Sequence, residues 1–217
     1  MTAAAHERSY RRAGRWSRRV FSLFVKADFA PAPSIAATEP VIVAANHRSF
    51  YDIFMAYTVL EGWGLAPRML VRGSYFKVPV LGWLLRSTGC IPVESSRGGE
   101  AIDAALAELA DGRPVAIMPE GRLVRPEDRP TGVGEARDGI GVLAVKSGVP
   151  VVVVGVAGAE RVWPIGRPVP IPRLRRTRVV ARIGVVDELS GSPQDARAEI
   201  MSRLGEAVRE AEARSAS

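Results

Sequence analysis

Cysteine is almost missing from this chain: Cys90 is the only one in 217 residues, which excludes an internal disulfide scaffold and fits a reducing cytosol best. Set between Gly89 and Ile91 in an apolar segment, it reads as a buried, inert thiol and not as a nucleophile. Histidine is scarce as well, with two residues, so imidazole chemistry has few places to sit. No apolar run approaches the roughly 20 residues that cross a bilayer. The longest, Val149 to Ala159, contains Pro150 and consecutive valines and predicts a buried strand followed by a turn. Acidic residues are nearly absent between Met1 and Ala27, where Glu7 alone faces Arg8, Arg11, Arg12, Arg15, Arg18, Arg19 and Lys26.

What is present is enough for one sizeable core, since 47% of the residues are hydrophobic and nothing in the composition marks disorder. The net charge of +7 sits mainly in the N-terminal segment. Its arginines recur at helical spacing, while Trp16, Val20, Phe21, Leu23, Phe24 and Val25 supply apolar and aromatic surface. A basic amphipathic helix of this kind suits an anionic membrane surface, where each basic residue contributes about 1 kcal/mol. A helix packed on its own domain and a nucleic-acid arm are the competing readings. No zinc, helix-turn-helix or ribonucleoprotein signature accompanies the charge, so nucleic acid is not an expected partner. A secretory signal needs a longer apolar core than Val20 to Val25, which Ser22 interrupts.

Beyond a linker from Ala30 to Pro40, short β-branched runs alternate with helical segments, the pattern of an α/β domain. Strands are expected at Val41–Ala45, Met69–Arg72, Ile91–Val93, Val115–Met118, Val151–Val156 and Val179–Val186. Helices are expected at Phe50–Leu60, Val80–Arg86, Glu100–Ala110, Ile140–Ser147 and Gln194–Arg214. The tract from Glu120 to Asp138 mixes Gly, Pro and charge and predicts a long loop. The fold class is therefore α/β, a single domain (39–217) with a mixed central sheet flanked by helices, preceded by the basic helix and linker (1–38).

One segment carries chemistry: Asn46-His47-Arg48-Ser49-Phe50-Tyr51-Asp52, directly after a strand. A neutral imidazole oriented by a carboxylate makes a general base. Five positions on one ideal helix lie roughly 140° apart, so His47 and Asp52 meet only if His47 precedes the helix and Asp52 opens it. Ser49 is placed to cap that helix, and its dipole favours an anion at Asp52. The bland alternative is an exposed loop histidine beside an unrelated helix-capping aspartate.

Downstream residues favour the chemistry. Asn46-His47 with Asp52, then Lys77-Val78-Pro79-Val80-Leu81-Gly82-Trp83 leading into Gly89-Cys90-Ile91-Pro92-Val93, then Met118-Pro119-Glu120-Gly121, then Gly148-Val149-Pro150-Val151-Val152 together resemble the four motifs of the glycerolipid acyltransferases, the superfamily typified by lysophosphatidic acid acyltransferase. The resemblance runs from about Val41 to Val186. It implies transfer of a fatty acyl group from an acyl thioester, on coenzyme A or acyl carrier protein, to a hydroxyl of a lysophosphatidate-like lipid or other hydrophobic acceptor. His47 would act as general base, Asp52 would orient it, and no metal or cofactor beyond the thioester co-substrate would be needed. Asn46, Ser49, Lys77, Glu120, Gly121, Arg122 and Arg97 are the candidate substrate-binding residues, with backbone N–H groups near Ser49 and Phe50 as oxyanion donors. Such an enzyme would lie on the inner face of the cell membrane as a cytoplasmic, peripheral protein.

Two departures bear on the acceptor. The second motif usually ends in an arginine where this chain has Ser95, and the third continues with Thr-Arg-Ser where this chain has Arg122-Leu123-Val124. Family arginines there are associated with the acceptor's phosphate, which a planar bidentate donor suits. Arg97, Arg122 and Arg125 stand nearby at shifted positions. A phosphate-free specialised acceptor is thus the alternative substrate, and a noncatalytic acyl-carrier- or lipid-binding protein on the same fold is the alternative class. A second basic region, Arg161, Arg167, Arg173, Arg175, Arg176 and Arg178, fits phosphates, anionic lipid or plain solvation equally.

Overall fold

The structure, a computed structural model, describes residues 3–216 apart from 38, 95, 168, 172–174, 188 and 190. Ser95 and Arg173 therefore lie outside the described residues. One mixed sheet of seven strands organises the chain in the order β1-β7-β6-β2-β5-β3-β4. The strands are β1 (Val25–Phe29), β2 (Ile42–Ala45), β3 (Arg68–Arg72), β4 (Ile91–Val93), β5 (Val115–Ile117), β6 (Val151–Ala157) and β7 (Thr177–Val186). All neighbours pair in parallel except β6 with β7. Every expected strand is present to within a few residues; β1 is additional, and it joins β7 at the sheet edge from within the segment expected to be helix and linker.

Alternation along the central strands splits the interior into two cores. Val41, Val43, Val152, Val154 and Val156 face α1 (Ala3–Phe21), α2 (Asp52–Gly62) and α3 (Pro79–Ser87). Ile42, Ala44, Val151 and Val153 face α4 (Gly98–Ala110), α5 (Gly139–Ser147) and α7 (Pro193–Ala216). Every residue of β6 is buried, as its unbroken apolar run requires in a strand covered on both faces. Each such valine contributes roughly 1.5–3 kcal/mol by burial. Helix α7 passes so close that a Cβ at Gly155 would lie 2.3 Å from the backbone of Ala207 and Val208.

Helix α1 corrects the expected face. Its buried stripe is His6, Tyr10, Ala13, Gly14 and Ser17, small and polar residues that let it nest on α2, where a Cβ at Gly14 would lie 2.8 Å from the Tyr57 carbonyl. Val20 and Phe24 pack into the core and Val25 enters β1, whereas Trp16 and Leu23 remain exposed. The side chain of Phe21 lies outside the described residues. No helix among the described residues is long and apolar enough to cross a membrane.

Candidate active site

Strands β2, β5 and β6 are parallel neighbours, so the loops leaving their carboxyl ends meet along one edge, the place where open α/β sheets hold ligands. The chain leaves β2 as Asn46–Tyr51, leaves β5 as Met118–Gly121, and leaves β6 through Gly158 into α6 (Ala159–Val162). Asn46 fixes this edge. Its Nδ2 donates to the Val156 carbonyl at 3.0 Å and its Oδ1 accepts the Val156 N–H at 2.7 Å, so the end of β2 is stapled to β6 by both ends of the amide.

His47 and Asp52 meet as the spacing predicts. Asp52 opens α2, and its Oδ2 accepts the His47 ring at Nδ1 (3.0 Å), the Arg48 N–H (2.7 Å) and the Ser49 N–H (2.8 Å). The carboxyl is 4% exposed, and its second oxygen has no hydrogen-bond partner among the described residues. An acceptor on Nδ1 places that proton there and leaves the Nε2 lone pair for the cavity side of the ring. Ser49 does not cap α2. The cap position is Tyr51, without a side-chain bond; Ser49 Oγ instead accepts the Tyr51 N–H and donates to the Trp163 carbonyl at 2.7 Å, tying the histidine turn to the end of α6. Ser49 stands two residues ahead of the cap position, so its hydroxyl bonds the Tyr51 N–H within the turn, while Asp52 takes the N–H groups of Arg48 and Ser49. The same bond removes the Ser49 N–H from the expected oxyanion donors, while the Phe50 N–H keeps no partner among the described residues.

Glu120 sits behind the histidine, not in front of it. Buried, it accepts the His47 N–H at 2.6 Å on one oxygen and the Gly134 N–H at 2.8 Å on the other, and burial pushes its carboxyl above the ordinary range. Arg48 is buried too, donating to Glu212 Oε1 of α7 at 2.7 Å and to the Gly132 carbonyl. The histidine turn is thereby held from four sides, by β6, α6, α7 and the loop after β5.

In front of His47 lies a cavity of about 1280 Å³. Its deep wall is apolar, built from Ala56, Val59 and Leu60 of α2, Met69 of β3 and Leu84 of α3. Beside the histidine, Phe50 and Phe54 pack on Trp163, with ring centroids 6.0 and 6.3 Å apart. Of the expected substrate-binding residues, Asn46, Gly121 and Arg122 line the cavity; Ser49 and Glu120 are buried behind it, and Lys77 and Arg97 are exposed outside it, the latter paired with Glu100. Arg122 bonds Asp128 at 3.0 Å. In the second basic region Arg178 is neutralised by Asp28, whereas Arg161 keeps its charge and donates to the Ser215 hydroxyl.

Two cavity residues escape local sequence reasoning. Arg137 lies against Gly121, where a Cβ would be 2.6 Å from Arg137 Nε; the glycine, at φ +62°, both makes the turn and admits the guanidinium. Trp163 reaches the histidine only because β6 and β2 are neighbours. Its position just beyond a carboxyl-end strand was the available signal. Cys90 is buried beside Tyr57 and Thr88, and burial raises its thiol, as an inert cysteine requires.

Comparison with known proteins gives three findings. A family model described as Acyltransferase matches residues 26–157. The chain is 27% identical over 155 residues to a chloroplastic 1-acyl-sn-glycerol-3-phosphate acyltransferase of Brassica napus, a match covering 70% of this chain and 43% of that protein. It is 28% identical over 130 residues to its chloroplastic namesake from Arabidopsis thaliana, covering 58% and 34%. The match thus spans less than half the length of these curated relatives. Among solved structures, the crystal structure of the 1-acyl-sn-glycerophosphate acyltransferase PlsC from Thermotoga maritima has the same fold, with a TM-score of 0.76 at 23% identity, covering 93% of this chain and 78% of that one.

Proposed function

This chain belongs to the Acyltransferase family, and from that premise we propose that it moves a fatty acyl group from an acyl thioester to the hydroxyl of a lysophosphatidate-like lipid. The observation that carries the proposal is the His47–Asp52 pair, 3.0 Å apart at the wall of a deep apolar cavity. In the step itself, Nε2 of His47 takes the acceptor's hydroxyl proton as that oxygen attacks the thioester carbonyl. The Asp52 carboxylate stabilises the imidazolium, the C–S bond breaks, and the proton passes from His47 to the leaving thiolate. The Phe50 N–H is the candidate donor to the oxyanion. The apolar wall holds the acyl chain, and coenzyme A or acyl carrier protein supplies the thioester.

For the acceptor's phosphate, Arg122 and Arg137 on either side of Gly121 stand in for the family arginines that this chain replaces with Ser95 and Leu123. A phosphate-free acceptor is the second reading, favoured by Leu123 lining the cavity where a charge would otherwise project. Thiol release from long-chain acyl-coenzyme A tests both. Release with lysophosphatidate that falls by about 10²–10⁴-fold in His47→Ala and strongly in Arg137→Gln supports the first reading. Release only with a monoacylglycerol, indifferent to Arg137→Gln, supports the second. Equal turnover by His47→Ala overturns the mechanism.

A further inference from the structure

Helix α7 begins beyond the last of the four motifs, yet one of its faces is built against the histidine turn. Gly205, Val208, Arg209 and Glu212 follow one another at steps of three, one and three residues, so they share a stripe of the helix. All four meet the loop after β5 or the histidine turn. The Thr131 carbonyl lies 3.7 Å from where a Cβ at Gly205 would stand, and Val208 Cγ1 lies 3.1 Å from where one at Gly132 would stand. Arg209 Nη1 donates to the Thr131 carbonyl at 3.4 Å. Glu212, farther along the stripe, accepts Arg48 Nη1 at 2.7 Å.

Arg48 is where these contacts reach the chemistry. It follows His47 directly, its side chain is 2% exposed, and its backbone N–H shares Asp52 Oδ2 with the imidazole. A guanidinium keeps its charge at any working pH, so one buried this deeply needs an anion close by. Glu212 is the only carboxylate that bonds it among the described residues; its Nη2 donates to the Gly132 carbonyl, and its Nε has no partner there. Arg129 adds to the demand, since burial, and Arg48 after it, lower its pKa. The same loop clamps His47 itself, with the Val124 N–H donating to the His47 carbonyl at 2.8 Å and Glu120 accepting the His47 N–H. Neither Arg48 nor Glu212 lines the cavity, so the pair stands behind the imidazole and away from both substrates.

We infer that Glu212 is a positioning residue for acyl transfer: through Arg48 it fixes the turn that presents the His47 imidazole to Asp52. For the reaction this rests on the acyl-transfer proposal; for the orientation of the ring it rests on geometry alone. Without Glu212 the guanidinium keeps its charge, loses its anion, and must move toward water to recover hydration. That movement draws the Arg48 N–H away from Asp52 Oδ2, the same oxygen that holds the His47 ring. A displacement of about 1 Å at a catalytic group can slow the chemical step by about 10²-fold. Substrate affinity is untouched, because the cavity wall is. Helix α7 is thereby the back plate of the site, and its final turns take part in the reaction without meeting a substrate.

The test measures thiol release from long-chain acyl-coenzyme A with lysophosphatidate or monoacylglycerol, beside the nitrogen-15 spectrum of the imidazoles without substrate. Only two histidines are present; His6 donates from Nε2 to the Ala66 carbonyl and His47 from Nδ1 to Asp52, so wild type should show one tautomer of each kind. Arg48→Met is expected to lower kcat by about 10–100-fold, with KM for both substrates within about twofold. Glu212→Ala should lower kcat by about tenfold at the same KM, less than Arg48→Met because its carboxylate is half-exposed. In both, the His47 signal should become a mixture of tautomers. Glu212→Gln keeps an acceptor and should recover most of the rate, while Glu206→Gln, on the exposed face of α7, should leave it unchanged. Arg48→Met/Glu212→Met separates positioning from stability: an apolar pair strands no charge, so melting temperature should return toward wild type while kcat stays low. Recovery of kcat together with melting temperature overturns the inference, as does an unaltered kcat in Glu212→Ala or a loss confined to KM. A wild type that releases no thiol, yet holds the Nδ1–H tautomer and loses it in Glu212→Ala, would sink the transfer proposal and leave the positioning role standing.

Discussion

Replacing Asp52 by Asn separates charge from architecture at the histidine. One carboxylate oxygen receives all three donors, and the other has no partner among the described residues. An asparagine whose carbonyl oxygen takes the first position keeps the two backbone bonds that shape the turn and the bond to the His47 ring. Its amide then occupies a buried site without an acceptor, at a cost of about 1–3 kcal/mol. For a domain of this size that lowers the melting temperature by about 2–4 °C per kcal/mol. The lost charge matters far more to turnover. At 3.0 Å an imidazolium and a carboxylate attract by about 5 kcal/mol at an effective dielectric near 20. Part of the carboxylate's field is committed to the Arg48 and Ser49 N–H groups, and the His47 side chain is 17% exposed, so water screens some of the remainder. About 3–5 kcal/mol is left, a fall in kcat of about 10²–10⁴-fold. The assay is thiol release at saturating acceptor, beside a melting curve and circular dichroism. A fall of less than about tenfold with the fold intact refutes the role given to Asp52. Loss of the fold would assign this carboxylate to the turn alone.

Two further expectations concern buried titrating groups. Glu120→Gln offers one acceptor oxygen where two N–H groups, of His47 and Gly134, now each have their own; one is left buried and unpaired, costing about 1–3 kcal/mol and loosening the histidine, so both melting temperature and kcat should fall. Because burial raises Glu120, its stabilising contribution is complete below the ordinary value of 4.5 and is lost as pH rises through the raised one; the deficit of Glu120→Gln should narrow over that rise, and a gap that widens instead counts against a raised group. His6 behaves in the opposite sense: its Nε2–H donates to the Ala66 carbonyl at 2.8 Å and its Nδ1 faces Arg68 Nη1 at 2.9 Å, and burial above all lowers its pKa. Its contribution is complete above the ordinary value of 6.5 and is lost as pH falls from there through the lowered value, so melting temperature should drop across that window in wild type and drop less in His6→Gln. Parallel curves would remove His6 from the account of how α1 is anchored.

Much of this molecule was legible along the chain because its signals are local. Strand runs are short and β-branched, and the six expected strands are where hydrophobicity places them. The five-residue spacing of His47 and Asp52 has one geometric solution, a histidine ahead of a helix that an aspartate opens, and the backbone adopts it. Local signals misled where a residue serves a distant partner. Ser49 has the composition of a helix cap, yet its hydroxyl is spent on Trp163. Asn46 does line the cavity, yet its amide also staples β2 to Val156, and Glu120 looks like a group that faces a substrate, but both its oxygens are spent on Gly134 and the histidine's own backbone. The basic N-terminal segment shows the same limit: arginine spacing reveals the helix, but the inward face is chosen by whichever stripe fits α2, and small residues fit more closely than tryptophan.

The sequence by itself determined the fold class, the order of the elements, the histidine–aspartate pair and the family resemblance, since all of these depend on periodicity and spacing within a few tens of residues. Tertiary structure alone decided which loops meet at the sheet's carboxyl edge, that Arg137 rests on Gly121 and Trp163 on the histidine turn, and that Lys77 and Arg97 stand outside the cavity. The reason is physical. Those contacts depend on the order in which strands pair and on the close packing of helices across them, and neither is written in any one stretch of the chain.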